Sequence, residues 1–282
     1  AKAIKTNRPK KLIEVIERNK ISDLGEISTI DHATKYLAEL SEPKIFELFE
    51  SLKNRYGRDT FGQGYIYQII TPDRVANLDC LSPEERKNGI STNACFVPYE
   101  KGDKEGNRWY LLTPFLINWS NEMVSFLYKN SGKKGKGMPV VRNPQFYFRE
   151  GFCWSDINTT YLKCRVKSSG VYDGSSMSLF SALDYLPDWY FVCLINSTLI
   201  SQYVDTFINS TSHFQINDAR QIPIVIPRPQ QLSKFESIFL EGKNLKQKQI
   251  LNQKSKQDVN EKLELLQTEL DNEVLDLYGM GQ

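Results

Sequence analysis

The sequence predicts an α+β protein, on three observations. Short β-branched and aromatic runs, broken by Gly, Pro and Asn, fill the stretch from about residue 58 to 229. Three-to-four apolar spacing precedes that block, and a heptad-like apolar repeat follows it. The resulting division is a helical lead-in at 1–57, a strand-rich domain at 58–229 and a C-terminal long helix within 230–282. A chain of 282 residues accommodates about two domains.

In the lead-in, Pro9 suits a first helical turn, and Leu12, Val15 and Ile16 share a face. Ser41 is placed to cap a helix carrying Ile45, Phe46, Phe49, Leu52 and Tyr56. In the central block, GYIYQII, ACFVPY, RWYLLTPFLINW, PVVRNPQFYF, YLKCRVKSS and IPIVIP read as strands. The stretch 188–208 reads as one helix, because Val192, Leu194, Ile195, Leu199, Ile200 and Tyr203 keep helical spacing for longer than a strand lasts. Near the end, Val259, Leu263, Leu266, Leu270, Val274 and Leu277 recur at three or four residues, giving a helix roughly 30 Å long that Gly279 stops. A single stripe needs a partner helix, expected in the lead-in or in another part of a longer polypeptide. Lysines from Lys243 to Lys256 precede the acids Asp258 to Asp271, a segregation that a solvated helix face explains.

A composition of 40% hydrophobic and 25% charged residues excludes disorder as the main state. No run approaches the ~18 to 20 apolar residues that cross a bilayer, and the start AKAIKTNRPKK lacks an apolar stretch, so no membrane and a cytoplasmic setting are expected. Five cysteines form no CxxC pair and the histidines are His32 and His213, which argues against an ordinary zinc site and for free thiols. The net charge is only +2, so any nucleic-acid signal must come from local clustering.

Such a cluster runs from Lys129 to Arg149, where Lys129, Lys133, Lys134, Lys136, Arg142 and Arg149 are accompanied by no acid. Gly132, Gly135 and Gly137 interleave the lysines, as in a flexible cationic loop able to follow an anionic backbone; a solubilising hairpin explains the same lysines. The run that follows is read as a strand bringing Arg142, Asn143, Gln145 and Tyr147, side chains that make directional hydrogen bonds to bases or phosphates. Lys163, Arg165 and Lys167 alternate, so they share one strand face, a geometry suited to a phosphate backbone. Signals for chemistry are weaker. Asn143-Pro144-Gln145-Phe146 resembles the Asn-Pro-Pro-aromatic loop with which amino-methyltransferases hold a flipped adenine, but Gln145 replaces the second proline and no glycine-rich cofactor loop precedes it. FGQGY at Phe61 to Tyr65 has two glycines only, and no nucleophile elbow presents a serine to His213 and Asp218.

The order of GISTNACFVPYEKGDKEGNRWYLLTPFLINWS, GKGMPVVRNPQFYFREGFCWSDI and LINSTLISQYVDTFINSTSHFQINDARQIPIVIP resembles the C-terminal specificity region of fused restriction and modification methyltransferases. The nearest families are type IIG enzymes with a TaqI-like specificity domain and the large phage-exclusion methyltransferases. The ending also resembles type I specificity subunits, where a strand like IPIVIPRP leads into a long spacer helix. The resemblance covers roughly Arg58 to Gly279 and implies a target recognition domain for double-stranded DNA. It implies that chemistry lies in an attached module, in cis or in trans, which binds S-adenosylmethionine and methylates a flipped adenine, with an endonuclease beside it in relatives that also cleave; this chain itself would hold no cofactor and no metal. On this reading Arg142 and Arg149 meet phosphate or guanine, and Asn143 and Gln145 read adenine. Tyr147, Lys133, Lys134, Lys136, Lys163 and Arg165 join them, as does Ser155 of the FCWS step. Trp154 fits core or contact, and His213, Gln215 and Arg220 face either DNA or an interior network. The competing readings are a protein-interaction scaffold that binds no nucleic acid and a separately encoded, type I-like specificity subunit.

Overall fold

The computed structural model describes residues 2–56, 69–103, 107–113, 115–134, 139–157 and 162–281, with side chains from Asn7 onward. The fold is α+β, and the chain divides into two units, Ala1–Pro72 and Asp73–Gln282.

The first unit holds α1 (Lys2–Asn19), α2 (Ile30–Ala38) and α3 (Glu42–Tyr56). Their apolar stripes meet in a core of Leu12, Val15, Ala33, Leu37, Phe49 and Leu52. Thr29 starts α2 by accepting the His32 amide at 3.2 Å, and Arg8 ties α1 to α3 through Glu42 at 2.9 Å. Pro9 was expected in a first turn and instead stands inside α1, where its missing amide removes one intrahelical bond from a helix that is packed further along.

The second unit runs α4 (Pro83–Asn88), β1 (Phe96–Glu100), β2 (Leu116–Asn118), α5 (Asn121–Asn130), β3 (Gly151–Ser155), β4 (Cys164–Lys167), β5 (Val171–Tyr172) and β6 (Ser176–Leu179). Then follow α6 (Asp188–Asn196), α7 (Thr198–Tyr203), α8 (Ile216–Ala219), α9 (Pro229–Ile250) and α10 (Lys256–Leu277). One sheet has the order β2-β1-β5, antiparallel between β1 and β2 and parallel between β1 and β5. The other is β4-β3-β6, antiparallel throughout, with Trp154 opposite Cys164 and Met177. Trp109 continues it past β4, its amide donating to the Cys164 carbonyl at 2.9 Å.

Strand alternation splits the second sheet into two unlike faces. Phe152, Trp154 and Cys164 enter an apolar core with Tyr190, Phe235 and Leu270 from the helices. Cys153, Arg165, Lys167, Ser176 and Ser178 point the other way and are also buried. Asn196, fully buried at the end of α6, fixes the helix to the sheet: its Oδ1 accepts the Cys164 amide at 2.7 Å and its Nδ2 donates to the Cys164 carbonyl at 2.9 Å.

Several elements differ from the sequence expectation for identifiable reasons. The run 139–148 is no strand; Asn143 is left-handed (φ 49°) and Pro144, which has no amide to give a ladder, opens a 3-10 turn at Pro144–Phe146. The run 222–227 is likewise outside any strand, its Pro223 and Val225 carbonyls taken by the hydroxyls of Tyr278 and Tyr190 at 2.5 and 2.6 Å. Among the described residues of 108–119, Leu116–Asn118 is the one strand, with Trp109 a single bridge, and most of GYIYQII lies outside the described residues. The helix expected over 188–208 breaks at Ser197, whose hydroxyl accepts the Ile200 amide at 3.3 Å and starts α7; a π turn at Val204–Ile208 follows, and the two segments bend by 68°. No single helix among the described residues is long and apolar enough to cross a membrane.

The heptad stripe faces inward as expected, with Val259, Leu266, Leu270, Val274 and Leu277 buried. Within the second unit the helix it packs on is α9, which the expectation of a single terminal helix left out. The chain from Pro229 forms two helices, and α10 folds back on α9, joined by Lys234–Glu273 at 2.7 Å near one end and Gln249–Asn260 at 3.1 Å near the other.

Candidate nucleic-acid interface

The sequence-predicted residues gather chiefly in the segment that joins α5 to β3. At its base, the Gly132 amide donates to the Pro139 carbonyl at 3.1 Å and the Val141 amide to Ser131 Oγ at 3.0 Å, closing the cationic loop. Lys133 and Lys134 are exposed on it; Lys136 lies outside the described residues.

From Arg142 to Arg149 the chain sorts its side chains by polarity. Phe146 turns inward and stacks on Phe180, with centroids 5.2 Å apart and planes 12° apart. Tyr147 meets Trp119 and Tyr172 edge-on at 5.8 and 5.1 Å, and burial raises its phenol pKa against an opposing hydrogen bond from the Arg142 backbone. Phe148 is buried against Trp119 at 5.5 Å, and its amide donates to the Gly170 carbonyl at 2.7 Å. Its φ of 61° is unusual for a bulky residue and persists because packing and hydrogen bonding dictate it. With three aromatics anchored, Arg142, Asn143 and Gln145 are left exposed. Arg149 is exposed too, with its guanidinium over Phe180 at 4.9 Å and donating to the Ser181 carbonyl at 3.0 Å.

A second group forms beyond the other end of β3, a five-residue strand of roughly 17 Å. Ile157 bridges His213, whose Nδ1 lies 3.0 Å from Asp156 Oδ2. Trp154 is fully buried and donates to the Phe214 carbonyl at 2.8 Å, so it is core that supports this loop rather than a contact. Gln215 starts α8 with Asp218, and Arg220 reaches Asn217; both are exposed. Ser155 is half-buried and exchanges hydrogen bonds with the Asp103 backbone at 2.7 and 2.8 Å.

The cationic strand face expected from Lys163, Arg165 and Lys167 is corrected by burial. Lys163 is half-buried, but Arg165 and Lys167 are 1% and 2% exposed. Arg165 pairs with Glu100 at 2.7 Å and donates to the Lys101 carbonyl at 3.2 Å. Lys167 donates to the Arg149 carbonyl at 3.0 Å, and burial brings its pKa down to about 8. The two do share a face, but that face lies under neighbouring structure and cannot reach a duplex. Burial also pushes the Cys153 thiol up to about 11 and Cys164 well above its ordinary value, so neither is a nucleophile at neutral pH.

Sequence reasoning missed Trp119, Tyr172 and Phe180 as supports of the turn, and Asp156 as the partner of His213. Asp156 stands two residues after Trp154, yet nothing local ties it to a histidine 57 residues away.

The described residues do not fit an S-adenosylmethionine crevice. No glycine-rich loop leads from one of their strands into a helix, and both sheets are small, with one parallel pair between named strands. The aromatic ring of Asn143-Pro144-Gln145-Phe146 is already stacked on Phe180 and so is not presented to a flipped base. FGQGY at 61–65 falls outside the described residues.

No family model matches the chain. Over 135 residues, 47% of the chain, it is 27% identical to an adenine-specific methyltransferase, BrxX, of Escherichia coli O9:H4 (strain HS). The matched stretch spans about a tenth of that protein's length (10%).

Proposed function

We propose that this chain is a double-stranded DNA recognition part of a modification system, serving an adenine-specific methyltransferase whose catalytic module is a separate part. One observation carries the reading: inward packing of Phe146, Tyr147 and Phe148 leaves Arg142, Asn143 and Gln145 exposed beside an acid-free cationic loop. Such a turn separates two tasks. Lys133, Lys134 and Lys136 attract phosphate without regard to sequence, while Arg142, Asn143 and Gln145 carry the donor and acceptor groups that discriminate base edges. The similarity to an adenine-specific methyltransferase supports the same assignment. His213, Gln215 and Arg220, beyond the far end of β3, are the proposed second contact; Arg165 is excluded from the interface by burial.

The test is fluorescence anisotropy of the chain with a pool of random duplexes across salt concentrations. Binding is expected to weaken linearly in log-log form, and changing Lys133, Lys134 and Lys136 to Gln is expected to lower the slope by about 2 to 3. Arg142→Ala is expected to relax preference at one position of the selected sequence by about 1 to 3 kcal/mol. No binding by the unaltered chain at low salt, with or without the catalytic module, defeats the reading.

In the parent enzyme S-adenosylmethionine supplies the methyl group; this chain's task is to grip and orient the duplex. Adding the cofactor is therefore expected to leave the melting temperature of the chain unchanged. A stabilisation approaching about 2.7 kcal/mol, the value for a ligand at 100 times its dissociation constant, would move cofactor binding into this chain.

A further inference from the structure

Lys167 is a buried lysine whose hydrogen-bond and ring partners among the described residues belong to the support of the 142–149 turn. Its Nζ donates to the Arg149 carbonyl at 3.0 Å and sits over the Tyr172 ring at 4.1 Å and the Phe180 ring at 4.9 Å. The same two rings hold the turn from the other side: Phe146 stacks on Phe180, Tyr147 packs edge-on against Tyr172, and the Arg149 guanidinium lies over Phe180. The ammonium thus occupies the point where the backbone end of the turn and two of its aromatic anchors converge. Burying a cation is costly unless it is bonded, and here a carbonyl and two ring faces stand in for water.

We propose that Lys167 is the positioning residue of the turn: its caged ammonium fixes the Arg149 carbonyl and the two rings, and so holds Arg142, Asn143 and Gln145 in one presented arrangement. Its consequence for DNA rests on the reading above. Loss of the clamp leaves the lysines of the loop in place, so it blunts discrimination between sequences while sparing salt-dependent affinity.

The groups that face Lys167 are Arg149 before β3, Cys153 on β3, Glu100 on β1, Arg165 on the same face of β4, Tyr172 on β5 and Asp188 on α6. The lysine pKa is lowered by burial to about 8 in the folded protein, against about 10.4 when free. Between these values the unfolded chain binds the extra proton, so Lys167's own contribution to global stability rises with pH while the ammonium clamp disappears. A residue with a merely structural role would move both in the same direction.

The experiment measures amide hydrogen exchange and sequence selection on the full chain. Protection of the Phe146, Tyr147 and Phe148 amides, which bond to Asn143, Pro144 and Gly170, is read relative to the Phe152 and Trp154 amides of β3. In Lys167→Met, relative protection of the turn is expected to fall about tenfold, and sequence enrichment from a random duplex pool to fall about tenfold with an unchanged salt slope. If that variant does not fold, the unaltered chain decides: raising pH from 7 to 9 is expected to lower the same relative protection. Relative protection that holds in the variant, or across pH if the variant is unfolded, overturns the positioning role. An unaltered chain that binds no duplex refutes the DNA reading instead, and the exchange result alone then judges Lys167.

Discussion

Glu100→Ala is expected to destabilise the second unit by about 3 to 5 kcal/mol, because it strands a buried cation. Arg165 is 1% exposed and Glu100 is 4% exposed, so water reaches neither readily. With Glu100 gone, the guanidinium's remaining hydrogen bond among the described residues is to the Lys101 carbonyl at 3.2 Å, with the charge of Asp103 in reach and a second buried cation, Lys167, on the same strand face. For a unit of about 200 residues this corresponds to a melting temperature lower by roughly 10 °C, readable by calorimetry. The double variant Glu100→Leu with Arg165→Met removes both charges and is expected to recover most of the loss. A single variant that costs under about 1 kcal/mol would mean that the layer admits water on relaxation.

Gly242→Val is expected to cost about 3 kcal/mol, and the contrast with Gly242→Ala identifies the cause. Gly242 lies in α9, where glycine is a poor helix former, so alanine ought to gain about 1 kcal/mol from propensity. Any Cβ there, however, stands 2.7 Å from Trp109 Cδ2 and 3.0 Å from Cε2. Trp109 has little freedom to retreat: it is 3% exposed and bridged to β4. Overpacking of about 1 to 3 kcal/mol therefore outweighs the propensity gain for alanine by a small margin. Valine adds two methyl groups to the contact and, being β-branched, forfeits most of the gain. Denaturant unfolding followed by tryptophan fluorescence checks the order Gly, Ala, Val; a neutral valine would show that α9 can move away from the sheet.

What the sequence conveyed was local, and what it withheld was tertiary. The spacing of Val259 to Leu277 announced the buried stripe of α10, because amphipathic period survives any choice of partner. It could not announce that α9 covers that stripe. Arg165 and Lys167 were correctly put on one strand face, since alternation is geometric. The side was wrong, because Glu100, which makes burial of Arg165 tolerable, is 65 residues away. In the candidate interface, exposure of Arg142, Asn143 and Gln145 was readable, yet a strand was assigned where Asn143-Pro144 dictates a turn. Of the supports, Trp119 lay in an aromatic run where nothing singled it out, and Tyr172 and Phe180 stood in serine-rich stretches with no local sign of their partners.

The apolar core of the second unit extends from Trp109 to Leu277. During synthesis, Phe152 and Trp154 emerge about forty residues before α6, which packs on β3 and β4, and more than a hundred residues before Leu266 and Leu270 of the same core. At ~5 to 20 residues per second, about 200 residues separate the end of the first unit from Leu277, an interval of roughly 10 to 40 s. The helical first unit, with its short-range contacts, can fold on the ribosome throughout that time, while in the second unit α6 can cover the sheet early but α9 waits for α10. Apolar surface on α9 thus stays exposed until α10 has left the exit tunnel, and chaperone occupancy of the growing chain should fall once α10 docks.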